Sequence, residues 1–221
     1  MQTSKAHIII VDGTPSSGKK LFGLELAITL MYNNQKTAIL LDKDSPLNQI
    51  ISLRKKEYPD LPSPNIIDRK DFNQEINNYN AIIIPGITPL DELAKTSNTF
   101  ITLLTPSNIQ KLQKDKSYFY KMWELKKQIA SERNATLNWV ILENHLKDKS
   151  TFTTSKDLQA LSKMYGFRVA PPINKRLSYL NTLKGISSQD KTLDSLKKDL
   201  TYDDICAKRE ITKLAEFIFS A

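Results

Sequence analysis

A short polar stretch near the start of the chain contains the residues best suited to chemistry. Its sequence is VDGTPSSGKKL, residues 11–21, in which four residues separate Gly13 from Gly18 and Lys19 follows at once. In phosphate-binding loops of the form G-x-x-x-x-G-K-[ST], backbone N–H groups cradle the phosphates and the lysine reaches the outer ones. The spacing therefore predicts a nucleotide-binding loop, and the alternative is a polar turn with incidental glycines. The candidate nucleotide contacts in the loop are Gly13, Thr14, Ser16, Ser17, Gly18, Lys19 and Lys20.

The last position of this loop departs from the motif. Lys20 stands where a Ser or Thr hydroxyl normally holds Mg²⁺, and an ammonium group at that place repels the cation. Pro15 also removes one backbone N–H from the cradle. The rest of the cradle and Lys19 remain, so the loop predicts nucleotide binding while it argues against Mg²⁺.

Two carboxylates follow the second apolar run of the chain. Asp42 and Asp44 come just after that run, at the sheet edge where open α/β folds bind ligands, so they are the candidate catalytic residues. They could position Mg²⁺ or the attacking water, and the alternative is a turn followed by a helix N-cap. The third run ends in Pro85 instead of the aspartate that would complete the Mg²⁺ shell. Two Mg²⁺ contacts are therefore missing, and hydrolysis is predicted to be weak or lost.

Short apolar runs alternate with helical patterns along the chain. The runs are rich in Ile, Val and Leu, as in strands that are buried on both faces of a parallel sheet. The predicted strands are His7 to Val11, Thr37 to Leu41, Ala81 to Ile84, Phe100 to Leu104, Asn138 to Leu142 and Gly166 to Ala170. The predicted helices are Lys20 to Asn33, Ser117 to Arg133, Lys156 to Tyr165 and Asp203 to Phe219. This alternation predicts one α/β domain over residues 1–221, of the P-loop NTPase type, with a mostly parallel sheet and helices on both faces.

Some segments do not follow this alternation. Three prolines between Glu57 and Asn65 predict a stiff, irregular connection. The lysine-rich segment from Lys175 to Leu200 is weakly periodic and is expected at the surface. Trp123 and Trp139 are expected to pack in the core, and His145 is expected in an exposed loop.

The composition excludes several classes of protein. The mean hydropathy is −0.39, and no long uncharged apolar run or secretory signal is present, which predicts a cytoplasmic protein without a membrane span. One cysteine, Cys206, and two histidines provide neither an internal disulfide nor a zinc site, so a metal could be held only by oxygen ligands, and no residue is assigned as a metal ligand. The net charge of +8 suits a nucleic acid or an acidic partner. Because lysines are spread along the whole chain, a solvated lysine surface is the favoured explanation.

Two long tracts resemble one family closely. The two tracts are SYFYKMWELKKQIASERNATLNWVILENHL and LQALSKMYGFRVAPPINKRLSYLNTL. The phosphate loop and the stretches AILLDKDSPLNQ and YNAIIIPG share the resemblance. All of these segments are similar to the MipZ branch of the ParA/MinD superfamily of deviant P-loop ATPases. The resemblance implies that Lys19 is the phosphate lysine and that Asn144 contacts adenine. It also implies that Asp42 and Asp44 are the switch I carboxylates. The signature lysine of the family, which reaches the partner's nucleotide in a dimer, is replaced by Thr14.

The resemblance implies a nucleotide-binding regulator of cell division or chromosome positioning. Its expected partners are a second copy of the chain, non-specific DNA, and a division or centromere-binding protein, with association to the nucleoid. The expected DNA contacts are Lys175, Arg176, Lys197 and Lys198. One alternative is a pseudo-ATPase that binds DNA or a division protein without a nucleotide cycle. A third is a small-molecule ligase of the dethiobiotin-synthetase kind, which would need the missing Mg²⁺ contacts.

Overall fold

The structure is a computed structural model that describes residues 6–15, 17–88, 90–105, 108–109, 115–145, 154–174, 176–190 and 200–220. Its strands are β1 His7–Gly13, β2 Thr37–Leu40, β3 Asn65–Ile67, β4 Ala81–Pro85, β5 Thr99–Leu104, β6 Asn138–His145, β7 Arg168–Val169 and β8 Ile173–Asn174. Its α-helices are α1 Lys19–Tyr32, α2 Pro46–Glu57, α3 Phe72–Glu75, α4 Ser117–Arg133, α5 Thr154–Tyr165, α6 Leu177–Leu180 and α7 Tyr202–Phe219. A 3₁₀ helix, Asn181–Lys184, continues α6. In the described part of the chain, no helix has the length and apolar character needed to cross a membrane.

The strands form one parallel sheet in the order β3-β2-β4-β1-β5-β6-β7, and β8 pairs with the end of β6. Every pairing between described strands is parallel. Side chains alternate between the two faces of β1, so that Ile9 and Val11 pack with α1 and α7, while Ile8 and Ile10 pack with α4 and α5. The predicted α/β domain with helices on both faces of a parallel sheet is therefore confirmed.

The predicted elements agree with the structure best where the apolar signal is long. The predictions omitted α2 and β3, and the irregular segment after α2 leads into β3 at the sheet edge. The strand predicted at Gly166 to Ala170 is only Arg168–Val169. Trp139 is buried as expected. The expectation for Trp123 was wrong, because its ring is partly exposed and the Lys127 ammonium lies 3.1 Å from the ring centroid.

The expectation that residues 175–200 lie at the surface was also wrong for part of that segment. Five consecutive residues after the 3₁₀ helix, Ile186 to Asp190, are buried. Asp190 accepts two hydrogen bonds from Arg54 of α2, at 2.5 and 2.7 Å, and both side chains are fully buried. The segment docks because its polar groups are paired with side chains of α1 and α2 instead of with water.

A second buried carboxylate, that of Glu25 in α1, binds the same segment. It accepts hydrogen bonds from the hydroxyls of Thr182, Ser187 and Ser188 and from the Ser188 backbone N–H. Burial raises the pKa of Glu25 above its ordinary value, although these hydrogen bonds act in the opposite direction. The native protein therefore holds the Glu25 proton more tightly than the unfolded chain does.

This pKa shift predicts how stability depends on pH. The relevant pH window runs from the ordinary glutamate pKa, about 4.3, up to the raised pKa of Glu25 in the folded protein. Within this window the native state binds more protons than the unfolded state. The contribution of Glu25 to stability therefore falls as pH rises through the window. Glu25→Gln should remove this contribution. As pH rises, we expect the free energy of unfolding of Glu25→Gln to increase relative to that of the unchanged protein. Urea unfolding of both proteins from acidic to neutral pH measures this difference. A constant difference between the two proteins would contradict the prediction.

Candidate functional site

The phosphate-loop sequence lies between β1 and α1, at the centre of the sheet. β1 has β4 on one side and β5 on the other, so the chain leaves β1 at the point where the strand order reverses. Ligands of open α/β sheets bind in the crevice at this point. Gly18, just before α1, has a φ of 81° in the left-handed region, which glycine adopts without strain. The loop and the helix N-terminus that the sequence predicts are thus present at the edge where a phosphate would bind.

Lys19 points back into the loop. Its ammonium donates to the carbonyl oxygens of Gly13, at 2.9 Å, and of Thr14, at 3.3 Å. Both acceptors belong to the loop itself, so the positive charge is held over the cradle. A phosphate oxygen, which is a stronger acceptor than a carbonyl, could replace them without a large movement of the side chain.

Two asparagine side chains hold the loop from outside. Asn108, beyond the end of β5, donates its amide N–H to the Thr14 hydroxyl at 2.5 Å. Asn144, near the end of β6, donates to the Ser17 carbonyl at 2.8 Å. Its Oδ1 atom is buried and has no hydrogen-bond partner among the described residues. The loop therefore has side-chain support from both strands on the β5 side of the sheet.

A buried carboxylate lies beneath the start of the loop. Asp12, at the end of β1, accepts a hydrogen bond from the Tyr118 hydroxyl at 3.0 Å. Tyr118 in turn lies 3.0 Å from the Thr102 hydroxyl, to which Trp139 donates at 3.1 Å. Burial raises the pKa of Asp12, against the opposing effects of the Gly13 N–H, Tyr118 and Lys19. This chain of hydrogen bonds fixes β1 against β5, β6 and α4 just before the loop begins.

The predicted catalytic residues line a cleft of about 560 Å³ between the ends of β2 and β4. Asp42, Asp44 and Lys20 are all exposed and line this cleft together. Asn48 of α2 holds the turn by donating to the backbone carbonyls of Asp42 and Lys43. The other polar lining residues are Ser45, Arg69, Thr88 and Asp91. The structure therefore brings Asp42, Asp44 and Lys20 into one cleft beside the phosphate loop.

The donor set in this cleft does not fit the Mg²⁺ shell of an ordinary P-loop ATPase. Lys20 and Pro85, at the two positions where oxygen ligands would be expected, both line the cleft and offer none. Arg69, which also lines the cleft, is paired with Asp91 at 2.6 Å. Within the described residues, no group of three or more His, Cys, Asp or Glu side chains is placed to hold a metal ion.

The predicted adenine contact borders a much smaller space. Asn144 and Gly18 line a cavity of about 40 Å³ together with Leu21, Phe22, Glu25, Ile173, Tyr179 and Ile211. This space has room for a water molecule and not for a nucleobase. The adenine role of Asn144 stays a prediction, because its amide group is used here to hold the loop.

The residues expected to bind DNA are mostly outside the described part of the chain. Lys175, Lys197 and Lys198 lie there, as does Ser16 of the loop. Arg176 is described, and its guanidinium is bonded to Glu210 at 2.5 Å and to Asp203 at 3.5 Å. Its charge is already compensated inside the protein, which counts against Arg176 as a phosphate contact.

The sequence predictions did not include Asn108, Asp12, Tyr118 or Arg69. Asn108 and Arg69 lie a few residues beyond the ends of β5 and β3, at the edge where the phosphate loop also lies. A polar residue just past a predicted parallel strand is a usable signal for that edge, and it applies to Asn108 but not to Arg69, which follows a strand that was not predicted. Tyr118 gave no such signal, because its contact with Asp12 depends on how α4 packs on the sheet.

Comparisons with known proteins identify the family and the fold. A model of the family described as "ATPase MipZ" matches residues 87–218. The fold is similar to that of a MinD cell division protein from Aquifex aeolicus, with 12% identity, a TM-score of 0.58 and 98% of each chain covered. It is also similar to the septum site-determining protein MinD with Mg-ADP from Pyrococcus horikoshii, with 13% identity, a TM-score of 0.60, and 97% of this chain and 96% of that one covered.

A third similar structure is a putative plasmid partition protein from Borrelia burgdorferi bound to AMPPNP. It shares 17% identity and a TM-score of 0.53, and the match covers 96% of this chain and 98% of that one. At these identities the structural likeness shows the fold. No curated protein matches the sequence.

Proposed function

This chain belongs to the ATPase MipZ family, and we propose that it is a nucleotide-binding regulator of cell division or chromosome positioning in which hydrolysis is weak or lost. The names of its structural neighbours support the biological setting, since they are a cell division protein, a septum site-determining protein and a putative plasmid partition protein. Two of those neighbours were solved with a bound nucleotide. ATP is accordingly the ligand that we propose for the loop.

The proposal rests on the contrast between the two halves of the site, the phosphate loop and the neighbouring cleft. On the loop side, Lys19 lies over the cradle and the N-terminus of α1 is directed at it. On the cleft side, Lys20 and Pro85 replace the two Mg²⁺ ligands. Binding depends mainly on the first half, while phosphoryl transfer depends on a cation that neutralises the charge developing between the outer phosphates.

Lys20 can supply part of that missing charge in the bound state. Its exposed ammonium faces the cleft into which the outer phosphates would project. A fixed side-chain cation offsets phosphate charge but does not bridge two phosphate oxygens as Mg²⁺ does. We therefore propose that nucleotide binding is indifferent to Mg²⁺, with Asp42 and Asp44 left as weak candidates for positioning a water.

A second candidate function is a pseudo-ATPase that presents binding surfaces without a nucleotide cycle. The bond between Asn108 and Thr14 favours it, because the Thr14 hydroxyl is engaged within its own chain. At that position, the resemblance implies a lysine that would reach across a dimer. An ATP-dependent dimer in sedimentation would decide against this second candidate.

Titration of a fluorescent ATP analogue tests the first proposal. We expect saturable binding whose Kd is the same in Mg²⁺ and in chelator, and Lys19→Ala should weaken it about tenfold or more, since a hydrogen bond to a charged group contributes about 1.5–3 kcal/mol. Lys43→Ala is the matched control, because Lys43 is an exposed lysine in the neighbouring turn. Its Kd should not change.

Two results would count against the proposal. Mg²⁺-dependent hydrolysis that Lys19→Ala abolishes would show that the cleft still performs phosphoryl transfer. Absence of binding in every condition would remove the nucleotide and leave the pseudo-ATPase as the better account. Lys20→Thr adds a positive test, since it should make the Kd depend on Mg²⁺ by restoring one oxygen ligand.

A further inference from the structure

One region of the surface, far along the chain from the phosphate loop, is unusually apolar. Half of the large apolar side chains that are exposed in the described chain lie on α6, on the following 3₁₀ helix, and at or just before the start of α7, with exposed fractions from 43% to 81%. They are Leu177, Leu180, Leu183, Leu200, Tyr202 and Ile205. We call these six residues, with Lys184, Arg209 and Lys213, the apolar basic face.

The six side chains are brought together by the way the two elements dock. Leu177, Leu180 and Leu183 recur every three residues along α6 and the 3₁₀ helix, where such spacing places side chains on one side. The inward side is fixed by Ser178, whose hydroxyl shares its one hydrogen between the carboxylates of Asp203, at 2.9 Å, and Asp204, at 2.5 Å. These bonds put the start of α6 beside the start of α7, so the two sets of exposed residues adjoin.

The charges on this face have one sign. In the described residues 176–190 and 200–213, every exposed charged side chain is cationic, namely Lys184, Arg209 and Lys213. Arg209 and Lys213 follow Tyr202 and Ile205 at helical spacing, so they continue the same stripe of α7. The nearby acidic residues Asp203 and Glu210 are paired with Arg176, and 34% and 17% of their side chains remain exposed.

Apolar residues bordered by cations match a surface that is apolar inside and anionic at its rim. A second copy of the chain is disfavoured, because it would bring identical cations together in a protein with a net charge of +8. A docked helix would need a groove, whereas the cavity beside this region is lined by the inward residues Tyr179 and Ile211. Leucines that protrude between a tyrosine and several cations are typical of segments that rest in a lipid interface.

We propose that the apolar basic face binds the surface of a membrane that contains anionic lipids. Leu177, Leu180 and Ile205 would enter the boundary between head groups and acyl chains, with Tyr202 at the level of the head groups. Arg209, Lys213 and Lys184 would lie against the anionic head groups. This binding is independent of the phosphate loop and needs no nucleotide.

Cosedimentation of the full chain with lipid vesicles tests the proposal. Vesicles of phosphatidylcholine with one quarter phosphatidylserine should bind the protein, and vesicles of phosphatidylcholine alone should bind it at least about tenfold more weakly. Leu177→Glu with Leu180→Glu should reduce binding at least about tenfold. Arg209→Gln with Lys213→Gln should reduce it about 25-fold, or about fivefold per cation, and the loss should shrink at high salt.

Met164→Glu and Lys163→Gln are the matched controls, because they alter an exposed apolar residue and an exposed lysine of α5. Both should bind vesicles as the unchanged protein does. If the leucine variant fails to fold, as judged by circular dichroism, the Arg209 and Lys213 variant carries the test. Two results would overturn the proposal. One is equal binding to both kinds of vesicle. The other is a dimer in sedimentation that the leucine variant dissociates, which would make this face a contact between two copies.

Discussion

Asp190→Ala is expected to lower the free energy of unfolding by about 3–5 kcal/mol. Asp190 accepts hydrogen bonds from Arg54, from the Ser187 backbone N–H at 2.6 Å and from the Tyr32 hydroxyl at 2.8 Å. The alanine variant leaves the Arg54 guanidinium fully buried without its carboxylate, and an uncompensated buried charge is among the most destabilising changes known for a folded protein. Urea unfolding followed by circular dichroism measures the loss.

Two further variants separate the buried charge from the rest of the effect. Arg54→Met with Asp190→Leu removes both charges, so it should recover part of the stability that Asp190→Ala loses. Glu92→Ala removes one carboxylate from the exposed pair with Lys95 and should leave the unfolding midpoint unchanged. If Asp190→Ala unfolds at the same urea concentration as Glu92→Ala does, the buried pair contributes nothing of note and the docking of residues 186–190 must rest on other contacts.

The elements that were predicted correctly are those whose sequence alone selects one structure. β4 is an uninterrupted run of Ala81 and three isoleucines, and all of them are buried between β1 and β2. α4 repeats apolar residues at helical spacing, with Phe119, Met122 and Ile129 buried. In both cases the local periodicity and the tertiary burial agree, so the pattern was sufficient.

The omitted elements have weak apolar signals. α2 buries Leu47 and Ile51 but also Arg54, whose place in the core no hydropathy pattern predicts. β3 is three residues long and buries only Ile67. Ser45 followed by Pro46 was a usable sign of a helix start, since proline is favoured in the first turn. The partner of Arg54 lies 136 residues away along the chain, and only the folded structure identifies it.

The candidate site was predictable to the extent that a local motif defines it. The positions of Lys19, Lys20, Asp42 and Asp44 around one crevice follow from a strand, a loop and a helix in sequence order. Asn108 could have been placed at this edge, but its contact with Thr14 could not be predicted, because that contact spans 94 residues and depends on the placement of β5 beside β1. Side-chain support for a loop comes from neighbouring strands, and single-sequence patterns carry little information about it.

Gly13→Ala is expected to weaken nucleotide binding about 100-fold and to lower the free energy of unfolding by about 1–3 kcal/mol. A Cβ atom at Gly13 would lie 2.4 Å from the Leu103 carbonyl oxygen and 2.6 Å from the Ser17 hydroxyl. The first of these is backbone of β5, paired with β1, so it cannot give way as a flexible side chain would. The loop must move instead, and its backbone N–H groups then no longer point at the phosphates.

Gly86→Ala is the matched control at the other side of the site. A Cβ atom there would meet only the Lys19 Cε atom, at 4.0 Å, although the φ of 96° makes alanine strained. We expect Gly86→Ala to lose stability through this strain and to keep nucleotide affinity within a few-fold, since nothing displaces the loop. The two variants thus separate backbone strain from displacement of the cradle. Equal affinities for Gly13→Ala and the unchanged protein would mean that the phosphates do not bind at the loop, because no cradle there could tolerate the added carbon.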